Sequence, residues 1–135
     1  MAKIDFTLEE LLEIMVSNKL LPPQIARVKI KADEVHFVIK TDAFILPYIP
    51  ASLKYLNFDG TNALFEFTII TGRANKAVSL LNNALKLKLP AYMKLEYPKL
   101  FVDIDRVLSE KNVRGIQVED ISFQNGRFTI LTRNI

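Results

Sequence analysis

The sequence predicts an antiparallel α+β fold, in which hairpins form the sheet and two main helices pack on one of its faces. Three observations predict this class. Apolar and polar residues alternate along several stretches, turn residues separate these stretches, and two segments repeat apolar residues at helical spacing. The predicted order of elements is α-β-β-β-α-β-α-β-β. A length of 135 residues is typical of one domain, residues 1–135.

The first helix is predicted over residues 7–19. Thr7 and Glu10 have the spacing of a capping box, in which each side chain accepts a hydrogen bond from the other residue's backbone N–H. Pro22-Pro23 would stop a longer helix. The apolar face consists of Leu8, Leu11, Leu12 and Met15. We expect this face to be buried in the core.

The first strands are predicted over residues 25–41, where apolar and polar residues alternate. The alternation slips at Ala32-Asp33-Glu34, which indicates either a bulge in one long strand or a tight hairpin. Because no Gly or Asn is present for the turn, the bulge is favoured. Residues 53–58 and 63–70 flank Asp59-Gly60-Thr61-Asn62, which is typical of a hairpin.

The second half of the chain begins with a helix predicted over residues 73–86. Residues 91–103 follow as one or two short strands interrupted near Pro98, and Asp103 is suited to cap a short helix over 104–111. Asn125-Gly126 then lies between two alternating runs, which is the strongest local signal for a hairpin. A two-residue turn there pairs Phe123 with Phe128 and Ile121 with Ile130. The alternation slips once more at Glu119-Asp120.

The composition excludes several kinds of chemistry. The chain has no Cys and one His, so thiolate nucleophiles, disulfides, Cys-based zinc sites and sites built on two His are excluded. No phosphate-binding loop or nucleophile elbow is present. His36 has no partner at a recognised catalytic spacing, and an exposed strand histidine is the favoured interpretation. We predict that the protein is not an enzyme, with no cofactor and no metal.

The first candidate binding segment covers residues 43–50, which are apolar but interrupted by Pro47 and Pro50. The two prolines argue against both a helix and a central strand. This segment either packs as a flap over the sheet or forms the mouth of an apolar pocket. Its candidate residues are Phe44, Ile45, Leu46, Tyr48 and Ile49.

The second candidate region is basic. Residues 73–99 contain six Lys or Arg and one Glu, a net charge of +5, whereas the whole chain has a net charge of +3. An ordinary solvated face is the favoured interpretation, an anionic lipid surface comes second, and nucleic acid is ranked last because Arg is scarce. The candidate residues are Lys86, Lys88 and Lys94, with Leu80 and Leu87 as apolar contacts.

The bulged strands, the Asn125-Gly126 hairpin and the apolar face together resemble the pattern of small bacterial members of the tubular lipid-binding superfamily. The resemblance covers parts of the chain without a diagnostic motif, implies lipid binding, and transfers no site residue. The mean hydropathy of +0.16 is high for a small domain. A well-filled core with short loops is the favoured cause, and an apolar surface for a partner, a lipid or another copy of the chain is the alternative.

Two functions therefore lead. The first is non-catalytic binding of an apolar or lipid-like ligand, or of an anionic membrane surface. The alternative is a homo-oligomeric structural or protein-interaction module, and an enzyme built on His36 and carboxylates comes third. A cavity of about 300–1,000 Å³ would favour the first. No signal core and no membrane span is seen in the sequence, so the expected location is cytoplasmic.

Overall fold

The computed structural model describes residues 2–41, 47–70 and 89–134. These ranges form an antiparallel α+β fold, which confirms the predicted class. The elements in chain order are β1 (Ala2–Thr7), α1 (Leu8–Ser17), β2 (Ile25–Lys31), β3 (Glu34–Lys40), β4 (Tyr48–Phe58), β5 (Asn62–Ile69), β6 (Met93–Glu96), β7 (Lys99–Asp103), α2 (Ile104–Glu110), β8 (Ile116–Gln124) and β9 (Arg127–Asn134). The helix predicted over 73–86 lies outside the described residues.

The strands form two antiparallel sheets. The large sheet has six strands in the order β2-β3-β4-β5-β7-β6, and the small sheet has three in the order β1-β9-β8. One face of the large sheet, here called the inner face, carries most of the buried apolar residues. The small sheet packs on part of this face, where Ala63 of the large sheet shares a buried cluster with Val118, Ile121 and Phe128 of the small sheet.

The start of α1 is fixed by the predicted capping box. The Thr7 hydroxyl accepts from the backbone N–H of Glu10 at 3.1 Å, and the Glu10 carboxylate accepts from the N–H of Thr7 at 3.0 Å. The backbone N–H of Thr7, and then its hydroxyl, hydrogen-bond to the Glu10 carboxylate and hold its pKa below the ordinary value. The N–H of Leu8 also donates to the carbonyl of Gly126 at 3.1 Å, which ties the helix to the β8–β9 turn.

Strand β1 is an addition to the predicted order. Its partner is β9, at the opposite end of the chain, with Ile4 opposite Ile130 and Phe6 opposite Phe128. The Phe6 and Phe128 rings stack with centroids 5.7 Å apart. This strand depends on a distant partner more than on its own residues, so local pattern alone did not predict it.

The favoured bulge near Ala32 was wrong, because β2 and β3 form a tight hairpin. Lys31 pairs with Glu34, and the two turn residues have positive φ angles, 53° at Ala32 and 63° at Asp33. Asp tolerates this left-handed conformation, whereas Ala adopts it at a cost of about 1–2 kcal/mol. The sheet therefore imposes a turn that the local sequence disfavours.

The expectation that residues 43–50 avoid a central strand was also wrong for the described part of the segment. Strand β4 begins at Tyr48 and runs between β3 and β5. Pro50 fits because its carbonyl faces β5, where it accepts from the N–H of Ile70 at 2.9 Å. In an antiparallel strand, the N–H and the carbonyl of one residue point toward the same neighbouring strand. The N–H that Pro50 lacks would therefore also point toward β5, at the place where β5 ends at Ile69, so no pairing within the sheet is lost.

The remaining expectations for the C-terminal half are confirmed. β6 and β7 flank Pro98, and the Asp103 carboxylate accepts from the N–H of Arg106 at 3.1 Å at the start of α2. β8 and β9 pair with the predicted register, with Phe123 opposite Phe128 and Ile121 opposite Ile130. The register shifts between Val118 and Asp120, where the sequence alternation slips.

Candidate apolar ligand site

One end of the inner face is filled by a buried cluster of residues from β3, β4 and β5, against which Ile25, Val28, Leu89 and Leu95 pack. Ile39 and Ile49 are opposite each other on β3 and β4, and both have no exposed surface. Phe37 is opposite Ala51, and its ring meets that of Phe67 edge-on at 5.8 Å. These residues belong to one buried cluster, and Phe37 and Phe67 at its border also line the open space described next.

Helix α1 contributes to the other end of the inner face, but its apolar side chains are incompletely buried. Leu8, beside the tied N-terminus, is the one buried residue that α1 contains. Leu11, Leu12 and Met15 are half-buried. The sequence predicted a buried face, and the structure corrects this for Leu11, Leu12 and Met15. Beyond its first residue, the helix borders open space as well as neighbouring side chains.

That open space is a cavity of about 330 Å³. Its lining combines the α1 face with the inner face of the large sheet and part of the small sheet. Among the described lining residues, Asp33 is the one charged side chain. The described lining includes Leu12, Met15, Asp33, Tyr55, Ile121 and Phe123. The described lining is therefore almost wholly apolar.

Tyr55 adds a second polar group to the lining and is partly buried. Its hydroxyl donates to the carbonyl of Ile121 at 2.6 Å, which joins β4 to β8 across the two sheets. Burial, and then the nearby Asp120 carboxylate, raise the pKa of Tyr55 to about 12. The rings of Phe65, Phe123 and Phe128 surround the Tyr55 ring edge-on, with centroids 5.3–6.4 Å away.

A second recess of about 430 Å³ adjoins the cavity and is much more polar. It lies between β4 and β8, which belong to different sheets, and shares four lining residues with the cavity. The shared residues are Asp33, Tyr55, Ile121 and Phe123. The polar residues of the recess are Asp33, Lys54, Asn57, Asp120, Ser122 and Asn125. We call this the polar recess.

The structure describes three of the residues predicted as binding candidates and does not bring them together. Ile49 is fully buried in the filled end, whereas Tyr48 is exposed and lies under the Arg27 guanidinium at 5.7 Å. The Lys94 ammonium lies 2.8 Å from the Glu96 carboxylate. None of the three is among the described lining residues of the cavity or the recess. Phe44, Ile45, Leu46, Leu80, Leu87, Lys86 and Lys88 lie outside the described residues.

The sequence reasoning missed the cavity, although it identified many residues that line it. Leu12 and Met15 were assigned to a helix face and Phe37 to a strand, and both assignments are correct. The available signal was the high mean hydropathy of +0.16. The value indicates an excess of apolar side chains, but it does not indicate where these side chains leave a cavity between them.

His36 lies on the opposite face of the large sheet from the cavity. Its Nε2 is 3.6 Å from a Glu34 carboxylate oxygen, and both side chains are partly exposed. Within residues 2–41, 47–70 and 89–134, no group of three or more His, Asp and Glu side chains could hold a metal ion.

The sequence matches no protein-family model, and comparisons with curated proteins and with solved structures found no significant match. No helix in the described part of the chain is both long enough and apolar enough to cross a membrane.

Proposed function

We propose that the protein binds an apolar, lipid-like ligand in the cavity under α1. The observation that carries this proposal is a cavity of about 330 Å³ whose described lining contains one charged residue, Asp33. An empty apolar cavity leaves its lining without contact partners, so an apolar guest gains dispersion contacts and loses its hydration.

The size of the cavity limits the ligand. At about 330 Å³ it lies at the lower end of the range of about 300–1,000 Å³ for small-molecule sites. A ligand with a single hydrocarbon chain is therefore a better fit than one with two. A membrane-surface role rests on the basic candidates, of which the structure describes Lys94, and this side chain is ion-paired with Glu96. Non-catalytic action and a cytoplasmic location remain predictions.

The test uses two tryptophan substitutions on one helix. Leu12→Trp adds volume inside the cavity, whereas Ile14→Trp adds the same side chain at a residue 49% exposed and outside the lining. Nile red, an uncharged dye that fluoresces in apolar surroundings, reports binding to the delipidated protein. We expect Leu12→Trp to weaken dye binding by about tenfold. Ile14→Trp should bind like the unaltered protein.

Two further measurements keep this test decisive. Met15→Phe makes a smaller change in the same lining and replaces Leu12→Trp if circular dichroism shows that the latter fails to fold. Native mass spectrometry of the purified protein looks for a co-purified apolar molecule. Equal dye affinity in the Leu12 and Ile14 variants, or no dye binding at all, would contradict the proposal.

The alternative from the sequence, a homo-oligomer, rests on apolar side chains left exposed outside the cavity. Ile14 and Val16 are 49% and 57% exposed, and both belong to α1. The same native mass spectrum counts subunits. A stable dimer whose dissociation follows Val16→Asp, together with absence of ligand, would favour this alternative.

A further inference from the structure

We infer that the polar recess holds the head group of the ligand, and that this head group donates hydrogen bonds, as a hydroxyl or an ammonium, and is not an anion. The inference rests on the proposed function. It goes beyond that function because it states the chemical class of the ligand's polar head group.

The first step is the wall that the two spaces share. The cavity and the recess share the side chains of Asp33, Tyr55, Ile121 and Phe123 as lining. One wall therefore borders an apolar space of about 330 Å³ and a polar space of about 430 Å³. An amphiphile with a chain in the cavity finds polar groups at this wall, whereas the other described lining residues are uncharged.

Second, two turns together place the Asp33 carboxylate at this wall. Asp33 is the second residue of the β2–β3 turn, and Gly126 belongs to the β8–β9 turn. A Cβ atom added at Gly126 would lie 3.3 Å from Asp33 Oδ1, so the missing side chain leaves room for the carboxylate. The same turn receives the first N–H of α1, through the Gly126 carbonyl.

The third step is the balance of hydrogen-bonding groups in the recess. Asp33 and Asp120 supply carboxylates, which accept hydrogen bonds, and Lys54 supplies an ammonium. Within the described ranges, the carboxylates of Asp33 and Asp120 have no hydrogen-bond or ion-pair partner. The Tyr55 hydroxyl already donates to Ile121, so this proton is not available to a ligand.

The charged side chains of the recess determine which charge of head group is favoured there. Two carboxylates against one ammonium give the charged side chains of the recess a net charge of −1. An anionic head would meet repulsion from both carboxylates, while a hydroxyl or ammonium head gives each of them a donor. The neutral side chains of Asn57, Ser122 and Asn125 can donate to or accept from such a head group.

The test compares three competitors that share one hydrocarbon chain: a long-chain alcohol, the matching amine and the matching carboxylic acid. Each displaces Nile red from the delipidated protein at neutral pH. We expect the alcohol and the amine to displace the dye at concentrations about tenfold lower than the acid. In the double variant Asp33→Asn and Asp120→Asn, the amine should lose this advantage. Asn keeps the turn at residue 33 because it also tolerates positive φ.

A matched control is Glu13→Gln, which removes one negative charge at an exposed residue of α1 outside both spaces. The order of the three competitors should stay the same in this variant. Tightest binding of the acid, lost in Lys54→Gln, would overturn the inference. Equal affinities for all three would also overturn it and leave the proposed function standing. Failure of all three to displace the dye, with no dye bound, would instead contradict the proposed function.

Discussion

The two ends of the inner face are built from similar residues but are packed differently. At the filled end, residues from β3, β4 and β5 meet directly, and Ile39 and Ile49 have no exposed surface. At the open end, Leu12 and Met15 of α1 are half-buried and border a cavity of about 330 Å³. Hydrophobic composition alone therefore does not decide whether a face becomes core or a cavity wall.

The difference in packing between the filled end and the open end follows from the backbone hydrogen bonds that position each of them. Strand pairing fixes the filled end, because register places Phe37 against Ala51 and Ile39 against Ile49. The start of helix α1 is hydrogen-bonded to the β8–β9 turn, through the N–H of Leu8 and the carbonyl of Gly126. Backbone hydrogen bonds set a short distance between strands, whereas the spacing between a helix and a sheet is set by the side chains that happen to meet.

The largest effect is expected from truncation at the filled end. Ile49→Ala should lower the free energy of unfolding by about 2–5 kcal/mol, because it leaves a void that the rigid strands cannot close. Urea denaturation of the unaltered protein and the variant measures this change. A loss below about 1 kcal/mol would mean that the filled end relaxes as readily as the open one.

The second effect tests overpacking at the same end. Ala51 is 1% exposed and lies opposite Phe37 and Ile69. Ala51→Leu should cost about 1–3 kcal/mol, since no space is left for the added carbons. Met15→Phe also adds volume, but at the cavity, and should change stability by less than about 0.5 kcal/mol. Equal costs would show that the cavity is not open in solution.

The sequence predicts the fold better than the site, and two hairpin turns show why. Asn125-Gly126 is suited to positive φ, so the β8–β9 hairpin could be predicted with its register. Ala32-Asp33 forms a turn of the same length without those residues, because strand pairing on both sides imposes it. Local preferences predict structure where they agree with tertiary pairing and fail where pairing overrides them.

The cavity was beyond prediction for a related reason. The periodicity of Leu8, Leu11, Leu12 and Met15 correctly predicts one apolar helix face. Whether that face meets a partner depends on the spacing between helix and sheet, which periodicity does not encode. The polar recess depends on Asp33 and Asp120, which are far apart in the sequence and line one recess only after folding.

A third, smaller effect is expected at the open end. Leu12→Ala should cost about 1 kcal/mol, because its side chain is half-buried and already borders open space. An apolar ligand should stabilise the unaltered protein more than this variant. Thermal unfolding with and without a long-chain alcohol measures both quantities. A cost of about 2–5 kcal/mol would instead place this residue in a filled core.

The smallest effect at neutral pH is expected from Tyr55→Phe, which keeps the ring and removes the bond to the Ile121 carbonyl. The loss should lie near the lower end of about 0.5–1.5 kcal/mol, since the bond is only partly buried. The pH dependence is more informative. The folded-state pKa of Tyr55 is raised to about 12, above the value of about 10 for an unfolded chain. The protonated hydroxyl therefore stabilises the fold fully below pH ~10, and this contribution is lost as the pH rises through about 12.

The stability difference between the unaltered protein and Tyr55→Phe should accordingly shrink across that window. Urea denaturation at a series of alkaline pH values measures it, with Tyr48→Phe as the control because Tyr48 is exposed and outside the cavity lining. Tyr92, whose pKa is also raised by burial and by Glu110, titrates equally in both proteins and cancels in the difference. A difference that stays constant with pH would mean that the Tyr55 hydroxyl does not join the two sheets beside the cavity.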